Sequence, residues 1–348
     1  MKAMILKEFR QMRRDRRTVA LMVGLPLLLL VIFGYAARFD VAEIRTAVLG
    51  PQAESVEALL DDAFEVVVID TAGDAAEAER LLRDSEAAVA IVTGPTTKVF
   101  VDGTELFVAQ SAMRRVGEFS GSAEVEILFN PELSTSAVMV PSLIGLILLF
   151  IGTVITSLGV VKEREQGTLE QLAVTPLRPV DVIVGKIAPY FLVAVIDMFV
   201  VTVVGILVFD VPFRGSILMF AAYALVYLFV VLGLGVLIST VSKSQGEAIQ
   251  LAIMVLLPQV MLSGMIFPLD SMAAGVRWIG YLLPLTYFVM GMRGIFLKGS
   301  SVSALTPPLL VLTLMAVVIL SLAILRFRRD LAPKQATADV ESLEAVAA

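Results

Sequence analysis

The sequence predicts an α-helical polytopic membrane protein with six transmembrane helices and an inserted α/β extracytoplasmic domain. Three observations support this fold class. Hydrophobic residues make up 58% and charged residues 17% of the 348 positions, whereas soluble domains are nearer about 45–50% apolar and about 25% charged. The apolar residues occur in six long runs. One long polar segment separates the first run from the others.

Each apolar run is long enough to cross a bilayer, which takes about 20 mostly apolar residues in a helix. The runs are 18–37, 137–161, 187–209, 215–242, 248–269 and 302–325. Asp197 is the one charged residue within them. A further apolar stretch, 278–292, is short and contains Pro284. We therefore expect an outer re-entrant hairpin at about 268–300, with its backbone covered by protein.

Basic residues near the ends of the runs indicate the orientation, because cytoplasmic ends carry an excess of Lys and Arg. Seven basic residues precede the first run, and Arg326, Arg328 and Arg329 follow the last one. Six crossings bring both termini to the cytoplasm. The expected location is the plasma (inner) membrane of a bacterium or archaeon.

The two ends of the chain are expected to lie outside the bilayer. Residues 1–17 interleave apolar and basic side chains, which suits an amphipathic helix on the inner membrane face, although topogenic charge alone also explains them. Residues 18–39 form the first predicted transmembrane helix. Residues 327–348 are polar and alanine-rich, which predicts a disordered cytoplasmic tail.

The polar segment 40–136 alternates short Val- and Ile-rich stretches with stretches of helical periodicity. Such alternation predicts a small α/β domain. The predicted strands are 46–50, 64–70, 87–93, 98–102 and 125–129. The predicted helices are 55–63, 74–85 and 104–119. The acidity of this segment does not oppose export, because long domains translocate largely regardless of charge.

Residue types that are absent exclude several kinds of chemistry. The chain has no Cys and no His. Disulfides, His- or Cys-based metal sites and catalysis by a His or Cys side chain are therefore excluded. The net charge of −6 comes largely from the polar segment, and nothing in the composition indicates nucleic-acid binding.

The connection 162–186, between the second and third runs, contains eight charged residues. Thr168 stands before a stretch with a glutamine three residues later, which is a capping-box pattern. This pattern predicts a short helix at 169–174 across the inner membrane face. Pro176 and Pro179 are expected to end that helix and to turn the chain back to the membrane.

This connection resembles the signature of the ABC-2 type permease subunits of ATP-binding cassette exporters, E-R-E-x-G-T-x-E-x-L-x-x-[ST]-P followed by G-K. The matching residues are Glu163, Arg164, Glu165, Gly167, Thr168, Glu170, Leu172, Thr175, Pro176, Gly185 and Lys186. Further stretches look like the family in the same order, at 130–132, 211–216, 262–268, 284–287 and 293–294. The resemblance covers nearly the whole chain, and the large polar segment is similar to the drug- and lipid-exporting branch.

The resemblance implies that the connection forms a coupling helix that docks in a cleft of an ATPase subunit. The implied ATPase-coupling residues are Glu163, Arg164, Glu165, Gly167, Thr168, Glu170, Leu172 and Pro176. The four charged residues among them are the expected ion-pairing groups. The alternative is that these charges are a solvated loop that only orients the chain in the membrane.

ATPases of this kind bind phosphate through the pattern G-x-x-x-x-G-K-[ST]. The Gly-Lys dipeptide of the connection does not fit this pattern. Gly185-Lys186 is followed by Ile187, and Val180 stands where the first glycine is required. The chain is therefore expected not to be an enzyme, and ATP and Mg²⁺ are expected in a separate cassette ATPase. The family also implies a second permease copy, as a homodimer or with a paralogue. An envelope accessory protein is a further possible partner beside membrane lipid.

Two groups of polar and aromatic residues are candidates for the transport path. Asp197, Gln259 and Ser263 are the candidate substrate path, although hydrogen bonds between helices explain them equally. Phe267, Tyr281 and Tyr287 are the candidate outer gate, although aromatic residues also collect at membrane interfaces without any substrate.

The predicted function is the membrane-spanning subunit of an exporter that moves an amphipathic substrate, such as a drug, a lipid or a lipid-linked molecule. One alternative is a membrane receptor or envelope scaffold that uses its extracytoplasmic domain. The other is an ion-coupled secondary transporter, a class that usually shows inverted repeats and several intramembrane charges.

Overall fold

The computed structural model describes residues 43–119, 124–166 and 179–331. The predicted amphipathic helix 1–17, the first predicted span, the short helix 169–174 and most of the predicted tail lie outside these residues. Within them the chain is mostly helical, and its first part contains a β-sheet.

The first part alternates strands and helices, and we call it the α/β unit. Its elements are β1 (Ile44–Leu49), α1 (Ala53–Glu57), β2 (Phe64–Asp70), α2 (Ala75–Arg83), β3 (Val89–Val92), β4 (Lys98–Asp102), α3 (Leu106–Phe119) and β5 (Glu124–Leu128). The strand order is β2-β1-β3-β4-β5. Only the pairing of β3 with β4 is antiparallel; the other neighbouring strands run parallel.

Helices cover both faces of this sheet, as is usual for mostly parallel sheets. Residues of α1 and α3, including Ala53 and Val108, pack with Val48 and Val89 on one face. Residues of α2 pack on the other face with the strand residues whose side chains point the opposite way. Burial on both faces explains why the strands are rich in Val and Ile.

The second part is a helical bundle. Its helices are α4 (Thr135–Glu165, with a π-helical turn at Ile151–Ile155), α5 (Pro179–Phe209), α6 (Ile217–Val241), α7 (Gln245–Leu262), α8 (Ala274–Gly280), α9 (Pro284–Arg293) and α10 (Val302–Leu331). A second π-helical turn, Gly294–Lys298, follows α9. Among the described residues, five helices are long and apolar enough to cross a membrane, namely α4, α5, α6, α7 and α10. The chain is therefore a polytopic membrane protein.

Several helix ends differ from the sequence prediction, and α10 continues to Leu331, so residues 327–331 of the tail predicted as disordered are helical. Helix α4 extends to Glu165, beyond the predicted end at 161, so the first charged residues of the connection are helical. Helix α5 begins at Pro179, whereas we expected this proline to end a helix; proline is in fact favourable at a first helical position. Helix α7 ends at Leu262 instead of 269, because Gly264 adopts a left-handed conformation with φ +82°.

The stretch predicted as a re-entrant hairpin forms two short helices, α8 and α9, after a 3₁₀ turn at Leu269–Ser271. Helix α9 is not peripheral, because Phe288 is fully buried in the main core of the bundle. Its ring stacks on Tyr227 of α6 with centroids 4.3 Å apart. The hydroxyl of Tyr227 in turn donates to the carbonyl oxygen of Gly145 in α4, at 3.2 Å. Phe288 also lies against Gly145, so α9 packs on both α4 and α6.

Helices α4 and α6 approach each other through glycines at the π-helical turn. A Cβ atom on Gly235 would stand 2.5 Å from the carbonyl oxygen of Gly152. A Cβ atom on Gly152 would stand 2.4 Å from a methyl group of Val231. Because the first of these contacts is with backbone, no side-chain rotation can relieve it. The helix pair therefore depends on Gly235.

The variant Gly235→Ala is expected to destabilise the bundle by about 1–3 kcal/mol, because overpacking forces backbone shifts. The matched control is Gly246→Ala in α7, where the nearest atom to an added Cβ is the hydroxyl oxygen of Ser244 at 4.0 Å. Thermal unfolding of both purified variants, followed by circular dichroism, checks this. Equal unfolding midpoints for the two variants would show that the close contact at Gly235 does not determine the stability of the bundle.

Candidate functional site

The end of α4 is bonded to the end of α6 through Arg164. One guanidinium nitrogen, Nη1, donates to the carbonyl oxygens of Ser239 at 2.8 Å and Ser242 at 2.7 Å. Carbonyl groups in the last turn of a helix lack intrahelical partners and carry partial negative charge. The arginine therefore caps α6 from the neighbouring helix.

The next residue bonds α4 to the beginning of α7. The two carboxylate oxygens of Glu165 accept from the backbone nitrogen of Gln245 at 3.0 Å and from its side-chain amide at 2.6 Å. Gln245 is the first residue of α7, where backbone N–H groups have no partner within the helix. We call this set of contacts the α4 clasp: Arg164, Glu165, Ser239, Ser242 and Gln245.

The α4 clasp uses two of the residues that the resemblance assigned to ATPase coupling. Arg164 and Glu165 bond within the chain, and Glu163 lies on the same final turn of α4. Sequence reasoning missed Ser239, Ser242 and Gln245, because only the fold brings them to α4. Five of the assigned residues lie outside the described part of the chain, namely Gly167, Thr168, Glu170, Leu172 and Pro176. The coupling role of all eight stays a prediction.

A cavity of about 500 Å³ lies at the opposite end of the bundle, between the α/β unit, the segments on either side of α8, α9 and the start of α10. We call it the domain-side cavity. Its polar wall includes Arg45, Asp84, Ser85, Thr104, Glu105, Asp270, Arg293 and Lys298. Its apolar wall includes Val289, Met290, Leu305, Pro307, Pro308 and Val311. The size is within the range of sites for drug-sized ligands, about 300–1,000 Å³.

The α/β unit is fastened to the bundle beside this cavity by Lys298. Its ammonium group donates to the Asp102 carboxylate at 2.5 Å, to the Ser85 hydroxyl at 2.7 Å and to the Leu82 carbonyl oxygen at 3.1 Å. An ammonium has three protons, so all of its hydrogen-bonding capacity is used. The Asp102 carboxylate also accepts from the backbone and hydroxyl of Thr104, at 2.9 and 2.7 Å. Both charges of this pair are buried.

Two serines extend this junction. The Ser300 hydroxyl donates to the carbonyl oxygen of Arg83 at 2.6 Å, and the Ser301 backbone nitrogen donates to the Asp84 carboxylate at 3.0 Å. The segment between α9 and α10 therefore holds the C-terminal end of α2.

The structure brings together some of the predicted gate and path residues. Ser263, Tyr281 and Tyr287 all line the domain-side cavity, and the Tyr287 hydroxyl donates to the Tyr281 carbonyl oxygen at 2.7 Å. Phe267 does not line this cavity; it is buried in an apolar cluster with residues such as Leu262.

The other two path residues lie elsewhere. The Gln259 side-chain oxygen is buried and accepts from the Leu285 backbone nitrogen at 3.2 Å, which ties α7 to α9. Asp197 lies on α5 and does not line the domain-side cavity. One of its carboxylate oxygens is buried and has no hydrogen-bond partner in the described part of the chain.

Comparison with known proteins identifies the family. The model of the ABC-2 family transporter protein matches residues 16–325. The probable multidrug ABC transporter permease YbhS of Escherichia coli K12 is 30% identical over 365 residues, covering 95% of this chain and 97% of that protein. The permease YbhR of the same organism is 26% identical over 345 residues, covering 89% and 94% of the two chains. The chain therefore belongs to the ABC-2 family of transporter proteins and is the membrane subunit of an ABC transporter.

Proposed function

We propose that this chain is the permease subunit of an exporter that moves an amphipathic substrate out of the cytoplasm, driven by ATP hydrolysis in a separate cassette ATPase. The α4 clasp is the observation that carries this proposal. The signature stretch begins in the last turn of α4, and Arg164 and Glu165 of that turn are bonded to α6 and α7. A force applied to the stretch would move three helices together, as rigid-body switching requires.

The proposed orientation puts the α4 clasp at the cytoplasmic face and the α/β unit outside. Lys162, Lys243 and Arg326 stand at the clasp end, in agreement with the positive-inside tendency. Basic residues at the other end are engaged within the chain: Lys298 with Asp102, and Arg277 with the Asp270 carbonyl oxygen at 2.9 Å. Because these cations are held by protein, they do not argue against an outer location.

The proposed assembly contains two permease subunits, either identical or paralogous, and two ATPase subunits that hold ATP and Mg²⁺. The proposed location is the inner membrane. The name of one relative, the inner membrane transport permease YhhJ of E. coli, supports this location. The names of YbhS and YbhR include multidrug, which supports an amphipathic drug-like cargo. An envelope partner would dock on the α/β unit.

Reconstitution of the chain with its cassette ATPase in lipid vesicles tests the coupling. ATP hydrolysis is expected to be faster with the chain than with the ATPase alone. The double variant Glu165→Ala with Glu170→Ala is expected to lose this stimulation several-fold, because the first change breaks the α4 clasp and the second removes a predicted docking charge.

The matched control for this double variant is Glu126→Ala with Glu132→Ala, which removes two exposed acids from the other end of the molecule. It should keep full stimulation. Full stimulation in the Glu165 and Glu170 variant as well would mean that these charges are only solvated and do not couple.

A further inference from the structure

Two charged groups in the domain-side cavity have no ion-pair partner in the described residues. Glu105 stands immediately before α3 and lines the cavity. In the described part of the chain, no hydrogen bond or ion pair engages its carboxylate. Arg293, at the end of α9, donates to the Met265 carbonyl oxygen at 3.0 Å, but its Nε is buried without a partner among the described residues.

The remaining charged groups of the cavity wall are already engaged. Lys298 is paired with Asp102. Arg45 lies 3.8 Å from the Asp270 carboxylate and donates to the Ser85 carbonyl oxygen at 3.1 Å. Asp84 accepts from the Ser301 backbone nitrogen. A molecule entering the cavity would therefore meet one carboxylate and one guanidinium that no ion pair engages among the described residues, although the two attract each other across the cavity.

The environment of Glu105 is unfavourable for a negative charge. Burial raises the pKa of this carboxyl group most strongly, and the neighbouring Asp102 and Asp270 raise it further. Lys298 and Arg45 lower the pKa, but they offset these effects only in part. A positive charge brought by a ligand would stabilise the ionised carboxylate.

The apolar wall of the cavity continues onto the surface of α10. Leu305 and Val311 line the cavity, and Leu310, Leu314 and Val317 continue along the same helix with exposed side chains. Because α10 is long and apolar enough to cross a membrane, this exposed apolar surface is suited to contact with lipid chains. An acyl chain could leave the cavity sideways along α10 without entering water.

We propose that the domain-side cavity binds a zwitterionic phospholipid of the ethanolamine type from the outer leaflet. Glu105 receives the ammonium group, and Arg293 binds the phosphate. The guanidinium offers paired donors that match phosphate oxygens. Tyr281 and Tyr287 in the same wall supply aromatic faces that favour a cation. The acyl chain lies against α10. The proposal relies on the proposed function only for the side of the membrane on which the cavity opens.

Binding is tested with the full chain in nanodiscs of phosphatidylglycerol, without ATPase or ATP. The probes are dihexanoyl phosphatidylethanolamine, and dihexanoyl phosphatidylglycerol, which keeps the phosphate but has no amine. Calorimetric titration is expected to show at least five-fold tighter binding of the ethanolamine lipid. Glu105→Gln should abolish this preference, whereas Arg293→Lys should weaken both probes because lysine cannot bind phosphate through a planar pair of donors.

The control variant Glu126→Gln changes an exposed acid of β5 outside the cavity and should bind like the wild type. Equal affinity of the wild type for both probes, or an unchanged preference in Glu105→Gln, would overturn the proposal. Either result leaves the proposed export function standing, because no ATP-driven step is measured. Loss of ATP-dependent transport with intact lipid binding would overturn only the export function.

A stability measurement separates loss of binding from loss of folding. Because the pKa of Glu105 is raised in the folded chain, its contribution to stability is full below the ordinary carboxyl pKa and is lost as pH rises through the raised value. Glutamine does not ionise, so Glu105→Gln avoids the stability that the wild type loses when this carboxyl group ionises. At neutral pH the variant should therefore unfold at the wild-type temperature or above it. A lower unfolding temperature would show that Glu105 supports the fold, which contradicts a ligand-binding role.

Discussion

The variant Lys298→Met is expected to lower the free energy of unfolding by about 3–5 kcal/mol, because removing one partner of a buried ion pair leaves the other charge unpaired. Lys298 is buried and holds three acceptors, including the buried Asp102 carboxylate. Methionine fills a similar volume but cannot donate to any of them. The midpoint of thermal unfolding, followed by circular dichroism of the purified chain, measures the effect.

The matched control is the double variant Lys298→Met with Asp102→Asn. The second change removes the carboxylate charge that Lys298→Met leaves without a partner, so part of the lost stability should return. The side-chain amide oxygen of asparagine can still accept from Thr104. Two results would contradict this account of the junction. One is a Lys298→Met midpoint equal to that of the wild type, and the other is a double variant that is less stable than the single one.

The variant Arg164→Ala is expected to lower transport per ATP hydrolysed by several-fold. Hydrogen bonds that involve a charged group contribute about 1.5–3 kcal/mol, and Arg164 bonds two carbonyl groups at the end of α6. Without them, the end of α4 would no longer be hydrogen-bonded to the end of α6, and movement of the signature stretch would reach α6 less effectively. Transport and ATP hydrolysis measured in the same vesicles give the ratio directly.

Lys162→Ala is the control for this variant, because Lys162 is exposed on the same final turn of α4. It should keep the wild-type ratio, and Arg164→Lys should be intermediate because one ammonium can still reach a carbonyl group. An Arg164→Ala ratio equal to that of Lys162→Ala would show that the α4 clasp does not transmit movement.

Local elements of this fold were predictable where apolar patterning and turn residues agree. Strands β2 and β4 have the predicted bounds, 64–70 and 98–102, because each is a Val-rich run between turn-forming residues. Helix α6 spans Ile217–Val241, close to the predicted 215–242. Helix ends were less predictable, because apolar composition indicates which residues tolerate lipid and not where the hydrogen-bonded ladder stops. The left-handed Gly264 ends α7 inside an apolar run.

The candidate sites depend on contacts that no local pattern carries. Lys298 and Leu82 are separated by 216 positions, and a lysine beside an apolar run has the same appearance in sequence as a topogenic charge. The signature stretch did indicate that Arg164 and Glu165 matter, but not that they bond to Ser239, Ser242 and Gln245. Glu105 gave no signal at all, because a single acid before a helix is indistinguishable from a solvated one.

Uptake of a fluorescent amphipathic drug into inside-out vesicles tests the central claim most directly. The vesicles contain the chain and its cassette ATPase, and a matched set contains an ATPase that binds but cannot hydrolyse ATP. We predict uptake that requires ATP, disappears with the inactive ATPase and persists when the proton gradient is collapsed. Uptake that continues without ATP hydrolysis and stops when the gradient is collapsed would contradict an ATP-driven exporter and indicate ion-coupled transport.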